Sequence, residues 1–173
     1  MTHNQKAVEA LRARWGSAIQ DVVEFRGETT VVVDRSSIAE VVRFLRDEPG
    51  MGFNFLAALT ATDHLPEEPR FGVVYQMYSM ENASMLGLKV LVPGDDPVMP
   101  TVEGVFLNAN WHERELFDMF GIRFAGHSDM RRILMPEDWT GHPLRRDYPL
   151  GYEEVQFSFN YKDIDAKKPY AKE

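Results

Sequence analysis

The chain has no cysteine. Disulfides, thiol catalysis and cysteine-held iron–sulfur clusters are therefore excluded within it. No apolar run approaches the roughly 20 residues that a membrane-spanning helix needs, so the chain is expected to stay out of the lipid. Its start, Met1 to Lys6, leads into an amphipathic segment and lacks the apolar stretch of a secretory signal. Gly-rich turns of the dinucleotide or P-loop kind are missing, as are repeats and low-complexity tracts. Basic residues are scarce in one region: residues 61–110 hold only Arg70 and Lys89 against seven acidic side chains, in a chain of formal net charge -8. Phosphate binding wants a basic face, so nucleic acid is not an expected partner.

What is present suits one compact unit. A chain of 173 residues, 44% of them hydrophobic, can bury about 70% of the surface exposed by its unfolded form. Val8, Leu11 and Trp15 predict a short helix over residues 5–15, closed by Gly16. β-branched runs on either side of Arg26-Gly27-Glu28 predict a hairpin over residues 21–34. Ser37 with Glu40 fits a capping box, and Ile38, Val41, Val42 and Leu45 form the stripe of the helix that comes next. Strands are predicted over residues 53–62, 71–79 and 84–92, then a loop over 93–100. This order predicts an α+β fold, a mixed or antiparallel sheet covered by helices, over residues 1–125. Residues 126–173 are read as an irregular, Pro-rich C-terminal docking extension.

The C-terminal third carries the densest signal. Residues 111–120 predict a helix, and Gly121 sits where a left-handed residue closes it. At about 100° per residue, Trp111, Arg114, Glu115 and Asp118 share one arc, while Leu116, Phe117 and Phe120 lie opposite with Glu113 among them. A carboxylate on the apolar side must be paired. Arg131, Arg132, Arg145 and Arg146 come after it, and one of them is expected to hold Glu113 in a network with Asp118 and Asp147. The planar guanidinium suits this because it grips a carboxylate with two bonds and keeps its charge when desolvated. Pro136, Gly141, Pro143 and Pro149 argue against regular structure over residues 136–150. In residues 151–173, Tyr152, Phe157, Phe159, Tyr161 and Tyr170 stand among charges with little periodicity; the expectation is a tail lying along a partner, its last ten residues frayed.

Two enzyme classes fit poorly. His112-Glu113 opens like a zinc-hydrolase helix, but Leu116 stands where the second histidine is required. His3, His64, His112, His127 and His142 are scattered, so no metal is expected. Asp63-His64 precedes Leu65-Pro66, where turn formation accounts for the aspartate, and no nucleophile accompanies it.

The block Glu113-Arg114-Glu115 with Asp118, Phe120 and Gly121, the pair Arg131-Arg132, and Pro143-Leu144-Arg145-Arg146-Asp147-Tyr148-Pro149 together resemble the C subunit of the proton-pumping NADH-quinone oxidoreductases, the respiratory complex I family. The resemblance implies a cofactor-free member of the hydrophilic arm without catalytic, cofactor-binding or metal residues, and no activity for the isolated chain. FMN, iron–sulfur clusters and quinone would reside in partner subunits. It implies docking beside the large D subunit near the quinone site, among other hydrophilic-arm neighbours. Membrane association would be indirect and peripheral, on the cytoplasmic face of the bacterial cell membrane. A homologous subunit of a membrane-bound hydrogenase, or of a ferredoxin-type dehydrogenase complex, is the alternative, since no residue of this chain reads the electron donor.

Overall fold

The computed structural model describes residues 2–149 and 157–166. Helix α1 spans His3–Trp15 and opens on a capping box in which the Thr2 hydroxyl accepts the Gln5 N–H and the Gln5 side chain accepts the Thr2 N–H. Gly16 closes it at φ 48°, and Ala7, Val8 and Leu11 are its buried face. Strands β1 (Ile19–Phe25) and β2 (Glu28–Val33) form the predicted hairpin. Its two-residue turn, Arg26-Gly27, has positive φ at both positions, as a tight hairpin turn requires.

Helix α2 (Ile38–Asp47) buries Ile38, Val41, Val42 and Leu45, the predicted stripe. Its cap differs from the sequence reading, because Ser37 makes no side-chain capping bond. The Asp34 carboxylate instead accepts both the backbone N–H and the hydroxyl of Ser36, at 2.9 and 2.6 Å. An aspartate two residues upstream has the shorter reach, so the local turn outcompetes the box.

Strands β3 (Phe55–Asp63), β4 (Phe71–Ser79) and β5 (Ser84–Val92) complete a five-stranded sheet in the order β1-β2-β5-β4-β3. All neighbours are antiparallel except β2 and β5, which run parallel, so the sheet is mixed. Alternate residues of each strand point one way: Val31 and Val33, Leu86, Leu88, Val90 and Val92, and Phe71, Val73, Tyr75 and Met77 are buried in one core with α1, α2 and α3. The helices therefore cover a single face.

The loop predicted after β5 contains a short strand, β6 (Val98–Pro100), that pairs in parallel with β7 (Arg123–Ala125). Between them lies α3 (Ala109–Phe120), ended by Gly121 in the left-handed region at φ 74°. Residues 126–149 then run without helix or strand. Helix α4 (Tyr161–Asp165) is a single turn with Ile164 buried. The expectations for the tail otherwise fall largely on residues 150–156 and 167–173, outside the described residues.

Candidate functional site

Two clusters of arginines and carboxylates stitch residues 128–149 onto α3 and the sheet. The first sits where β3 ends and β4 begins, so that Asp63 and Arg70 meet across the hairpin opening. Arg70 Nε and Nη2 donate to the two Asp63 oxygens at 3.0 and 2.8 Å, while its Nη1 and Nη2 donate to Asp147 at 3.1 and 2.7 Å. One buried guanidinium thus uses a two-pronged grip on each of two carboxylates. The Arg146 backbone N–H adds a third donor to Asp63 at 2.8 Å, and the Arg146 guanidinium reaches the Leu65 carbonyl at 2.7 Å.

The Asp63 side chain is 2% exposed against 51% for Asp147, so the first carboxylate is internal and the second lies at the rim. Arg70, helped by the N–H groups of Arg146 and Leu65, holds the Asp63 carboxyl well below its ordinary range despite burial. The same bonds, Asp63 before Asp147, push Arg70 above its own. Arg145 makes no ion pair among the described residues. It donates to the Phe120 carbonyl at 2.6 Å and lies over the Phe71 ring, which Arg70 also approaches, at 5.5 and 5.0 Å respectively. Burial, then the charge of Arg70, draws its pKa down.

The second cluster surrounds Asp118. Its Oδ1 accepts Arg132 Nη1 at 2.6 Å, and its Oδ2 accepts the backbone N–H groups of Ile133, Leu134 and Met135 at 3.1, 2.8 and 2.8 Å. Burial pushes this carboxyl up, but the three N–H groups and Arg132 together hold it below its ordinary value. Arg132 also donates to the Trp139 and Gly141 carbonyls, and Arg114 donates to those of Arg131 and Arg132. At the end of α3, His142 Nδ1 lies 3.0 Å from the Asp118 carbonyl, and the Leu144 N–H donates to that of Met119. Gly121 allows this closeness: a Cβ there would stand 2.5 Å from Arg145 Nη2 and 2.6 Å from His142 Nε2.

Asp118 is wholly buried, because residues 131–135 fold over that side of α3. One sequence expectation is corrected. Glu113 is buried as expected, yet no arginine holds it. The Val102 N–H donates to one of its oxygens at 2.7 Å, the Thr101 hydroxyl binds the other, and His127 Nε2 stands 4.0 Å away. Burial outweighs these neighbours and raises the Glu113 pKa to about 7. The Tyr75 hydroxyl, also fully buried, is pushed well above its ordinary range by burial and then by the nearby Glu113 charge.

Of the remaining residues singled out, Arg131 pairs with Asp129 in an exposed bridge, and Glu115 faces outward. Leu144, Arg146, Asp147 and Pro149 line the outside of the C-terminal segment, with Arg145, Pro143 and Tyr148 half-buried beneath them. Sequence reasoning gave Arg70 no role at the site and Asp63 only a turn. Their signal was positional: opposite charges at the facing ends of adjacent strands. Among the described residues no three His, Asp or Glu side chains gather to hold a metal, and no helix is long and apolar enough to cross a membrane.

Fold and site together define a two-layer α+β protein whose residues 131–149 are strapped to the sheet and to α3 by arginine–carboxylate contacts. Residues 31–154 match the family described as respiratory-chain NADH dehydrogenase, 30 Kd subunit, and the chain belongs to that family. It is 53% identical to the C subunit of the NADH-quinone oxidoreductase of Roseiflexus sp. (strain RS-1), with 98% of each chain covered. The C subunit of the Geobacter sulfurreducens enzyme is 47% identical, covering 87% of this chain and 92% of that one. Among solved structures, a trypsin-resistant fragment (1-134) of Nqo5 aligns with TM-score 0.65 at 33% identity, covering 74% of this chain and 99% of the fragment. A chain of an archaeal membrane-bound sulfane sulfur reductase aligns with TM-score 0.73 over 98% of this chain and 96% of its own length at 20% identity, a likeness of fold alone.

Proposed function

We propose that this chain is a cofactor-free subunit of the peripheral arm of a proton-translocating NADH-quinone oxidoreductase, supporting electron transfer from NADH to quinone by holding its neighbours in place. Residues 1–125 form the α+β body, and residues 126–173 are the docking segment that lies against the D subunit near the quinone site. FMN, iron–sulfur clusters and quinone belong to partner subunits, and the isolated chain has no turnover of its own. The complex sits on the cytoplasmic face of the cell membrane, and this chain reaches the membrane only through its partners.

One observation carries the reading. The segment through residue 149 has no helix or strand, yet arginine and backbone contacts fix it on the body with Leu144, Arg146, Asp147 and Pro149 turned outward. An irregular segment held this way presents fixed side chains to a partner and avoids the ordering cost of a free tail on binding. The solution of Nqo5 as a trypsin-resistant fragment (1-134) supports a body that is separable from its C-terminal segment.

Small displacements near a reacting centre cost rate, so a subunit that only fixes geometry still matters to turnover. Arg145→Ala and Arg146→Ala are expected to lower the amount of assembled complex while turnover per assembled complex holds. Normal assembly with slowed turnover would instead assign this chain a direct part in the chemistry. The recurrence of the fold in a different respiratory membrane complex favours a second reading, a homologous subunit of a hydrogenase or ferredoxin-type assembly. A flavin subunit that binds NADH among the co-purified chains decides for the first.

A further inference from the structure

Arg145 is a half-buried cation to which the described residues offer no carboxylate. The other buried or half-buried arginines are all engaged: Arg35, Arg46, Arg70 and Arg132 pair with carboxylates, and Arg114 directs Nε and Nη2 at two carbonyls. Arg145 uses only Nε, on the Phe120 carbonyl; among the described residues its Nη1 and Nη2 donate to nothing. Four of the five N–H donors of a guanidinium lie on those two nitrogens. Carboxylates are near, but Arg70 holds them. Asp63 accepts two bonds from Arg70 and one each from the N–H groups of Leu65 and Arg146, and Asp147 turns both oxygens to Arg70. Arg70 also shares the Phe71 ring with Arg145, which sets a like charge beside it. His142, the remaining titratable group here, is held below its ordinary range chiefly by burial and supplies no anion. A cation partly removed from water without a counter-charge destabilises its own fold.

We infer that Arg145 receives an aspartate or glutamate side chain of a neighbouring protein subunit, gripped by its two Nη groups; this rests on the reading of residues 126–173 as the docking segment. Geometry and charge select the occupant. The two Nη nitrogens form a planar fork that matches the two oxygens of a carboxylate. A lone carbonyl would meet one N–H and leave the charge uncompensated. A phosphate wants further cations aimed at the same point, whereas Arg70 and Arg146 aim theirs at Asp63, Asp147 and the Leu65 carbonyl. The chain as a whole has a formal net charge of -8, yet this corner sets three arginines, 70, 145 and 146, against two aspartates, 63 and 147. One anionic side chain from outside balances it. Exposed Leu144 and Arg146 flank Arg145 in the chain, so a partner lying along them reaches it.

The test uses the assembled complex in its membrane. Arg145→Lys puts an amine at this point, and a water-soluble carbodiimide joins an amine to a carboxylate in contact with it. The chain has no lysine between Lys89 and Lys162, so peptide mapping assigns a link from position 145 without ambiguity. A link to an aspartate or glutamate of a neighbouring subunit supports the inference. Links only within the chain, to Asp63, Asp147 or Glu153, links only to a second copy, or no link at all overturn it. A photo-crosslinking phenylalanine analogue in place of Leu144, which is 53% exposed, separates the two readings. Crosslinks from position 144 to a neighbour with none from 145 overturn the inference and leave the proposed function standing; none from either position overturns both. Arg145→Gln supplies an independent measurement. Loss of one member of an interfacial charge pair should cut the chain retained in the purified complex about tenfold. The urea midpoint of the isolated full chain should hold, because removal of an uncompensated charge offsets the lost bond to Phe120. Unchanged retention would sink the proposal, and so would a midpoint that falls along with retention, the mark of a residue that only braces its own fold.

Discussion

Glu113→Gln tests how the buried carboxyl of α3 is held. Its folded pKa is raised from an ordinary 4.5 to about 7, chiefly by burial. A raised carboxyl binds its proton more tightly folded than unfolded. Its contribution to stability is therefore complete below the unfolded pKa and is lost as pH climbs from 4.5 toward 7. At about 1.4 kcal/mol per tenfold change, that gap corresponds to about 3 kcal/mol. Glutamine has the same shape, stays neutral, and keeps an oxygen for the Val102 N–H and an amide for Thr101. Wild type and variant should thus be nearly equal near pH 4.5. By about pH 8 the variant should be the more stable by up to about 3 kcal/mol. Urea unfolding of both chains at several values between about pH 5 and 8 measures the difference, and subtracting one curve from the other cancels titrations common to both. A difference that stays flat across this range, or a variant that loses stability at its alkaline end, would refute the assignment of a protonated internal acid.

Other perturbations separate the contacts at the site. Arg70→Ala strands the Asp63 carboxylate inside the fold and should cost about 3–5 kcal/mol in denaturant unfolding; Arg70→Lys should recover little, since an ammonium cannot grip two carboxylates at once. Asp63, Asp118 and Asp147 all have lowered pKa values, so the stability they lend is present above the ordinary carboxylate range and lost as pH falls below it. Acid unfolding monitored from about pH 5 downward should accordingly begin earlier in Asp118→Asn than in wild type. Gly121→Ala forces a side chain onto a left-handed backbone and displaces Arg145 from the Phe120 carbonyl, for a combined loss of about 1–2 kcal/mol by thermal or urea unfolding. Asp34→Ala should lose about 1 kcal/mol where Ser37→Ala loses almost nothing, because the aspartate caps the turn into α2.

The regular elements were legible in the sequence because their cause is local. Alternation fixed β4 and β5 to the residue, the α2 stripe fixed its buried face, and Gly121 marked the end of α3. Burial of Glu113 was legible for the same reason: its place among Leu116 and Phe120 follows from helical geometry. Its partners were not, since Thr101 and Val102 come from the stretch after β6 and only the fold brings them to α3. Asp118 shows the limit of a helical projection. The arc it shares with exposed Glu115 and Trp111 looks polar, and nothing in the helix itself reveals that residues 131–135 will close over one end. Asp63 and Arg70 were obscured by the proline-rich turn between them, which supplied an adequate local reason for the aspartate. Chains with local explanations hide their long-range partners.

The parallel pairing of β2 with β5 has a consequence for how the chain is made. Thr30 finds its partner in Gly87, so about 57 further residues must leave the ribosome after β2 before that edge can close. At ordinary rates of synthesis this is a wait of roughly 3 to 11 s. During it, the N-terminal hairpin carries Val31 and Val33 on an open strand edge with no sheet to join. Nascent chains at this stage are exposed to aggregation and to chaperone capture, and helices α1 and α2, both complete before β5 is made and packed in the same core as the hairpin's apolar side, are the cover available to them.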